Sequence, residues 1–459
     1  MKMYDIIEKK RDSHELSNDE IEYFVRGYCE DRIPDYQASA LLMAIYLNGM
    51  TDDELYNLTI AMANSAAKLD LSEIKNEGNI IIDKHSTGGV GDKVTLIVLP
   101  IVAALGVKCF KMSGRGLGYT GGTADKLESI VGYNIDIPFE QAVNQVKDIG
   151  LCLMSQSQNI AIADKKMYAL RDVTATVSSI PLIASSIMSK KIASGVDKIV
   201  LDVTVGSGAF MQDIESARKL ANTMINIGKK AGIETKAILT DMDEPLGRTV
   251  GNALEIKEVI SFLLADETTL NTKEYSKLKD IVFEIAAQMI KMAGLGDDIE
   301  QNKVEILKVI TEKKAYDKFI DLIKAQGGHI CNVYMDWINM NLDMPVLIDQ
   351  AQYLKEITAE QDGYIVSIDS KKIGEALVAL GGGRSIKGER IDYAVGFEFI
   401  KKVGDKVKTG DTILNVLYND KEKFDQAFEY INNAIYIDDI VDRLGVALKQ
   451  KPHILDSIE

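Results

Sequence analysis

"KMSGRGLGYTGGTADKLES", residues 111–129, sets glycines at 114, 116, 118, 121 and 122 between an extended-looking start and a helix-like end. Upstream, "DKHSTGGVGDK" (83–93) makes the same passage, after "NIIID" and before "VTLIVLPIVAALG". Each reads as a strand running into a glycine turn that feeds a helix. Such a turn leaves backbone N–H groups unpaired and aimed outward, where an anion can be held. Glycine lets the backbone approach closely and supplies φ > 0. "DKIVLDVTVGSGAF" and "TKAILTDM" repeat the strand-then-loop rhythm, and this alternation predicts a mostly parallel α/β sheet.

Outward from these loops the texture changes. Residues 1–70 read as helices alone. Ser17 with Glu20, and Thr51 with Glu54, have capping-box spacing, and Asp35 after Pro34 is placed to cap "YQASALLMAIYLNGM". "SSIPLIASSIMSKKIASG" is helical but outside the α/β rhythm, and groups with the N-terminal helices. From about 350 the text becomes short strands with glycine turns, "DGYIVSIDS", "ALVALGGGRS" and "DYAVGFEFIKKVGDKVKTGDTILNVLY"; the last forty residues look helical and acidic.

A chain of 459 residues exceeds one small core, so two or three domains are expected. A net charge of −16 argues against sequence-independent nucleic-acid binding, though not against a local basic pocket. Cys29, Cys109, Cys152 and Cys331 lie far apart with no CxxC spacing, which suits reduced thiols in the cytoplasm. The N-terminus turns charged too soon for a signal peptide, and no apolar run approaches the ~20 residues that span a bilayer.

The first loop surrounds its backbone with Lys84, Ser86, Thr87 and Thr95; the second with Lys111, Ser113, Arg115, Thr120 and Thr123. Neither has GxxxxGK[ST]; the second has GxGxxG spacing at Gly116, Gly118 and Gly121, but neither reads as the dinucleotide fingerprint with its acidic residue about twenty on. A nucleoside triphosphate or dinucleotide is therefore disfavoured, and one small anion such as orthophosphate fits. Either loop alone could also be a turn without a ligand. Lys84, Ser86, Thr95, Ser113 and Thr123, completed by Lys111 and the backbone at Met112, are the candidate phosphate ligands, since ammonium supplies charge and hydroxyls short donor bonds. His85, between Lys84 and Ser86, is the candidate catalytic group, able to donate a proton or hydrogen bond near neutrality. His14, His329 and His453 lack such a setting and read as structural.

"SGRGLGYTGGTADKLE" (113–128) resembles the signature of the pyrimidine and thymidine nucleoside phosphorylases. "DKHSTGGVGD", "YALRDVTATVSSIPLIASSIMSKK" and "KRDSHELSNDEIEYFVRGYCEDRIPDYQASALLMAI" match the same family, and the similarity spans residues 1 to 420. It implies reversible phosphorolysis of a pyrimidine nucleoside (uridine, thymidine or deoxyuridine) to free base and pentose 1-phosphate. It also implies an α/β architecture with a small all-α domain (1–70 with 160–195) facing a large α/β phosphate-binding domain with a mixed or parallel sheet (71–159 with 196–335). A homodimer through the α domain is implied too. Arg171, Ser186 and Lys190 match the family's base-binding positions; Tyr168 and Phe210 would line the base pocket. A potassium ion is implied on backbone oxygens of Gly91, Lys93, Leu246 and Thr249 and the carboxylate of Glu258. Lys93 departs from the small hydroxyl residue expected there, and its ammonium could weaken or replace the ion. Lys111 stands where deoxynucleoside-restricted relatives look methionine-like, which implies broad pyrimidine specificity.

Residues 336–420 resemble the β-hammerhead of lipoyl and biotinyl carriers but lack the modified-lysine turn, so they read as a hammerhead-like part of the α/β domain, with 421–459 a helical extension. Two enzyme alternatives stand: a thymidine-restricted phosphorylase, and a fold-related phosphoribosyltransferase using the acidic pair Asp243–Glu244 with magnesium.

Overall fold

The structure, a computed structural model, describes residues 1–66, 68–116, 118–155, 160–335, 340–348, 350–386, 388–439 and 451–459. The chain opens with α1 (Met3–Arg11), α2 (Asn18–Cys29), α3 (Asp35–Asn48), α4 (Asp52–Ala63) and the short α5 (Ser72–Lys75). Both capping boxes form: Ser17 Oγ accepts from Glu20 N, and Glu20 returns the bond to Ser17 N. Thr51 and Glu54 do the same. Glu54 also takes Lys10 Nζ at 2.8 Å and Leu16 N, which fastens α1 to α4 through a carboxylate with no solvent exposure. Asp35 is not the cap of α3. Pro34 holds that position, and Asp35, one residue inside, accepts from the Tyr28 hydroxyl at 2.9 Å.

The α/β part runs β1 (Ile82–Ser86), α6 (Val94–Ala104), β2 (Cys109–Ser113), α7 (Thr123–Glu128), α8 (Phe139–Ile149) and β3 (Leu151–Ser155). After α9 (Ile162–Val173) and α10 (Ile180–Ala193) it resumes with β4 (Lys198–Val205), α11 (Ile214–Ala231), β5 (Glu234–Asp241) and β6 (Thr249–Val250). Strands β1, β4 and β5 pair in parallel, as do β2 and β3, and a parallel bridge from Ile81 to Lys108 joins the two groups. The glycine loops after β1 and β2 therefore leave neighbouring strands at the same sheet end. Helices α9 and α10 return to the N-terminal bundle: Ala163, Met167, Leu170 and Leu182 share one apolar core with α1–α4.

Helices α12 (Asn252–Leu264), α13 (Glu267–Leu270), α14 (Lys273–Met292), α15 (Ile299–Thr311) and α16 (Lys314–Ala325) follow. They pack with α6 on the sheet face opposite α11. An antiparallel pair, β7 (Ile330–Met335) and β8 (Met340–Pro345), leads to the C-terminal part. There β9 (Tyr353–Thr358), β10 (Gly363–Ile368), β11 (Gly396–Phe399), β12 (Lys406–Val407) and β13 (Thr412–Tyr418) form antiparallel ladders, one of which includes β6, and α17 (Ser370–Ala379) follows β10.

Two sequence expectations fail here. "ALVAL" is not a strand but lies in and just after α17, which Asp369 caps by accepting from Lys372 N and which buries Ile373, Ala376 and Leu377 at helical spacing. The tail is not simply helical. After α18 (Lys421–Asn432), β14 (Ile435–Asp438) pairs with β10 and β15 (Ile454–Ile458) covers the open edge of β5. Residues 440–450 of that tail lie outside the described residues.

Candidate active site

Alternation along β1 sends Asp83 and His85 to one face and Lys84 and Ser86 to the other. On the second face Lys84, fully buried, donates to Asp202 Oδ2 of β4 at 2.8 Å, and Asp202 Oδ1 accepts from Thr240. Burial raises the Asp202 carboxyl above its ordinary range, against the pull of Lys84. Ser86 Oγ donates to Asp92 Oδ2 at 2.6 Å and accepts from Gly88 N at 3.1 Å. Burial opposes the charge of Asp92, but Lys84, Lys126 and the Ser86 hydroxyl hold its carboxyl low. Lys126, one turn into α7, donates to Asp92 O and pairs with Glu255 Oε2 at 2.7 Å.

On the first face Asp83 lies between two lysines. Its Oδ2 is 2.5 Å from Lys191 Nζ of α10, and its Oδ1 is 3.5 Å from Lys111 Nζ of β2, near enough to attract but without a hydrogen bond. Lys111 is almost wholly buried, and that burial, aided by the Lys191 and Lys84 charges and opposed by Asp83, brings its ammonium down to about 7. His85 falls in the same field. Burial first, then Lys191, Lys111, Lys190 and Lys84, drive its imidazole well below 6.5, so the ring is neutral at pH 7. A neutral ring keeps one N–H to donate.

Lys190 pairs with Asp164 of α9 at 2.5 Å and donates to Ser186 Oγ at 3.1 Å, so two of the three base-site candidates touch. Arg171 is 2% exposed and holds its own neighbourhood: Nε donates to Thr176 O, Nη1 to Leu182 O and Nη2 to Val177 O. Among the described residues, two of its five N–H groups make no hydrogen bond. Tyr168 and Phe210 are exposed, with the Arg171 guanidinium 5.9 Å from the centre of the Tyr168 ring. Thr95 and Thr123 fall in the first turns of α6 and α7, and Met112 and Ser113 end β2.

The second glycine loop folds largely on itself. A Cβ on Gly122 would meet Gly116 N at 2.1 Å, so only glycine permits that crossing. Asp125 Oδ2 accepts from Gly116 N, and Arg384, from the C-terminal part, pairs with Asp125 Oδ1 at 2.8 Å. Much of the bare backbone thus serves the loop's own closure. Asp83, Asp125, Asp164, Lys191, Asp202 and Arg384 were missed from sequence. Asp83 could have been found, since it shares a strand face with His85; the others lacked any local signal.

The Asp243–Glu244 pair is engaged. Asp243 takes Lys451 and Ser207 N, and Glu244 pairs with Lys402 at 3.2 Å. That leaves the magnesium alternative without a free acidic pair.

Two family models describe the class to which this bundle and α/β sheet conform: the glycosyl transferase family helical bundle domain matches residues 4–66, and its a/b domain residues 78–316. The pyrimidine nucleoside phosphorylase C-terminal domain matches residues 364–438. Pyrimidine-nucleoside phosphorylases of Staphylococcus aureus, strains USA300 and NCTC 8325 / PS 47 among them, are 46% identical over 96% of this chain and 97% of their own. Anthranilate phosphoribosyltransferase (TrpD) from Thermus thermophilus is similar in fold, with a TM-score of 0.55 at 17% identity, covering 70% of this chain and 99% of that one. The chain belongs to the pyrimidine-nucleoside phosphorylase family of glycosyl transferases.

Proposed function

We propose that this enzyme catalyses reversible phosphorolysis of pyrimidine nucleosides. The observation that carries the reading is the face of β1 that holds Asp83 and His85, where Asp83 lies between Lys111 of β2 and Lys191 of α10 beside the two glycine loops. In the reaction the C1′–N1 bond breaks and its electron pair passes to the base. An oxygen of HPO₄²⁻ forms the new C1′–O bond from the opposite face. The phosphate proton ends on the base nitrogen, so the balance needs no outside acid. Phosphate rests on the loop backbones with Ser86, Thr95, Ser113 and Thr123, and with the charge of Lys84 and Lys111. Ser186, Lys190 and the two spare N–H groups of Arg171 receive the base carbonyls, where negative charge collects. The His85 N–H donates to the carbonyl beside the breaking bond.

Lys111 favours breadth, because a polar group near the sugar can pair a ribose 2′-hydroxyl that a thioether would leave unsatisfied. Uridine and thymidine should both be cleaved, and cytidine poorly, since the base site is rich in donors suited to a 4-carbonyl. Helix α3 leaves Tyr36, Met43, Tyr46 and Leu47 exposed, which favours a homodimer through the helical part. No helix among the described residues is long and apolar enough to cross a membrane, and the free thiols of Cys29, Cys109, Cys152 and Cys331 suit the reducing cytoplasm. The test is release of free base from uridine, thymidine, cytidine and inosine with and without phosphate. Phosphate-independent release, or release from inosine alone, refutes the reading.

A further inference from the structure

The corner where the family resemblance implies a potassium-type ion is filled by the chain itself. Lys93, at the N-cap of α6, has no solvent exposure. Its Nζ donates to Leu246 O at 2.8 Å, Thr249 O at 2.9 Å and Glu258 Oε2 at 2.7 Å. An ammonium has three N–H donors, and here each has an acceptor. Those acceptors are three of the five ligands expected for the ion. Glu258 is saturated besides: Oε1 accepts from Arg248 N, and Oε2 from Thr249 N and Oγ1. The space is closed as well. A Cβ on Gly247 would lie 2.8 Å from Lys93 Nζ, and one on Gly91 would lie 2.6 Å from Leu246 O. The residues present therefore do not fit a resident monovalent cation, which would meet a buried like charge instead of a ring of oxygens.

We propose that the Lys93 ammonium is a built-in replacement for the cation, a tethered +1 charge that holds this corner without metal. It has a structural task there. Lys93 follows Asp92, whose carboxylate fixes Ser86 in the first glycine loop. Thr249 begins β6, which pairs with β11 of the C-terminal part. The ammonium thus locks the candidate phosphate loop to the 246–250 segment and, through it, to the C-terminal ladder. This assignment depends on the geometry of the corner alone and stands whichever nucleoside the enzyme cleaves.

The test compares melting and base release in KCl, NaCl and tetramethylammonium chloride at equal ionic strength. A resident ion stabilises the folded state in proportion to the logarithm of its concentration. The wild type should show no such dependence in melting, and the same rate in all three salts. Lys93→Ser removes the tethered charge and leaves the buried Glu258 carboxylate without its counter-charge. It should melt lower in tetramethylammonium, and added K⁺ should restore it in a concentration-dependent way by entering the vacated corner. The proposal is overturned if wild-type melting rises with K⁺ and not with tetramethylammonium. Lys93→Ser as stable as wild type without K⁺ would also overturn it, as would a variant that K⁺ fails to rescue. Because melting is read without substrate, failure here is distinct from failure of the catalytic reading.

Discussion

Replacing Lys111 with methionine should make this protein more stable and a worse enzyme, and the gain should fade as pH rises. The side chain is almost wholly buried in β2, 3.5 Å from an Asp83 carboxylate already held by Lys191 at 2.5 Å. Burial, with the Lys191 and Lys84 charges, takes its ammonium from 10.5 to about 7. At ~1.4 kcal/mol per pH unit that drop corresponds to at most ~5 kcal/mol. The folded value lies below the unfolded one, so between about 7 and 10.5 the unfolded chain binds one more proton. The penalty is therefore full below pH 7, shrinks as pH rises, and is gone by about 10.5. Methionine has similar length and no proton to lose, and Asp83 keeps Lys191, so no carboxylate is stranded. Allowing for the attraction Asp83 loses, a gain of ~2–4 kcal/mol at pH 6.5 is expected, on the order of 2–4 °C in melting temperature for a chain of this length. Scanning calorimetry of both proteins from pH 6.5 to 10 reads the difference directly. A methionine variant less stable at pH 6.5, or a difference that does not change with pH, refutes the reasoning.

Ser113→Ala should raise the KM for phosphate ~10–100-fold, the worth of a hydrogen bond to a charged group, with little effect on the KM for nucleoside. Lys84→Ala is a poorer probe, because it leaves Asp202 alone in the interior at ~3–5 kcal/mol; Lys84→Met with Asp202→Asn keeps the balance. Arg384→Ala should loosen the 113–122 loop by freeing Asp125, lowering both melting temperature and phosphate affinity; unchanged phosphate saturation would deny the loop its tether. With His85 neutral, the rate should show no acid limb near pH 6.5 from this residue. His85→Ala should cost ~10²–10⁴ in kcat, the range of an aimed donor or general acid–base group, and a limb that vanishes in His85→Ala would show that the ring titrates after all.

The glycine loops were legible because strand, glycine, hydroxyl and helix signals sit side by side in the text. Both capping boxes were legible for the same reason. What failed was either short or distant. "ALVAL" is too brief an apolar run for its period to separate strand from helix, and β15 is five residues recognisable only by the β5 edge it covers. Asp202 is 118 residues from the lysine it neutralises, and Arg384 is 259 residues from Asp125; no local pattern carries such a pairing. Arg171 illustrates a different limit. Its match to a base-binding position was visible, but three of its bonds hold the α9–α10 turn, a task invisible until the backbone is in place. Lys93 stood out as a departure, and only the fold shows its ammonium reaching oxygens at 246, 249 and 258.

The balance of charge in the site bears on how phosphate enters. Lys84, Lys111, Lys126, Lys190 and Lys191 face Asp83, Asp92, Asp164, Asp202 and Glu255. Each lysine but Lys111 has a carboxylate within bonding distance; Lys111 shares the one held by Lys191. With every group charged the set is neutral, so an arriving dianion adds two uncompensated charges to a buried place. Lys111 is the group able to answer, since near pH 7 it is half protonated and an anion beside it favours the charged form. Dianion binding should therefore take up a proton. Sulfate, which does not titrate in this range, separates the effect from phosphate's own ionisation. Calorimetry at pH 8 in two buffers of different ionisation enthalpy should give uptake approaching one proton per site, falling toward zero at pH 6. Lys111→Met should abolish it. Sulfate that binds at pH 8 with no proton uptake, or with the same uptake in the methionine variant, would mean that the charge is met elsewhere and that Lys111 does not answer the anion.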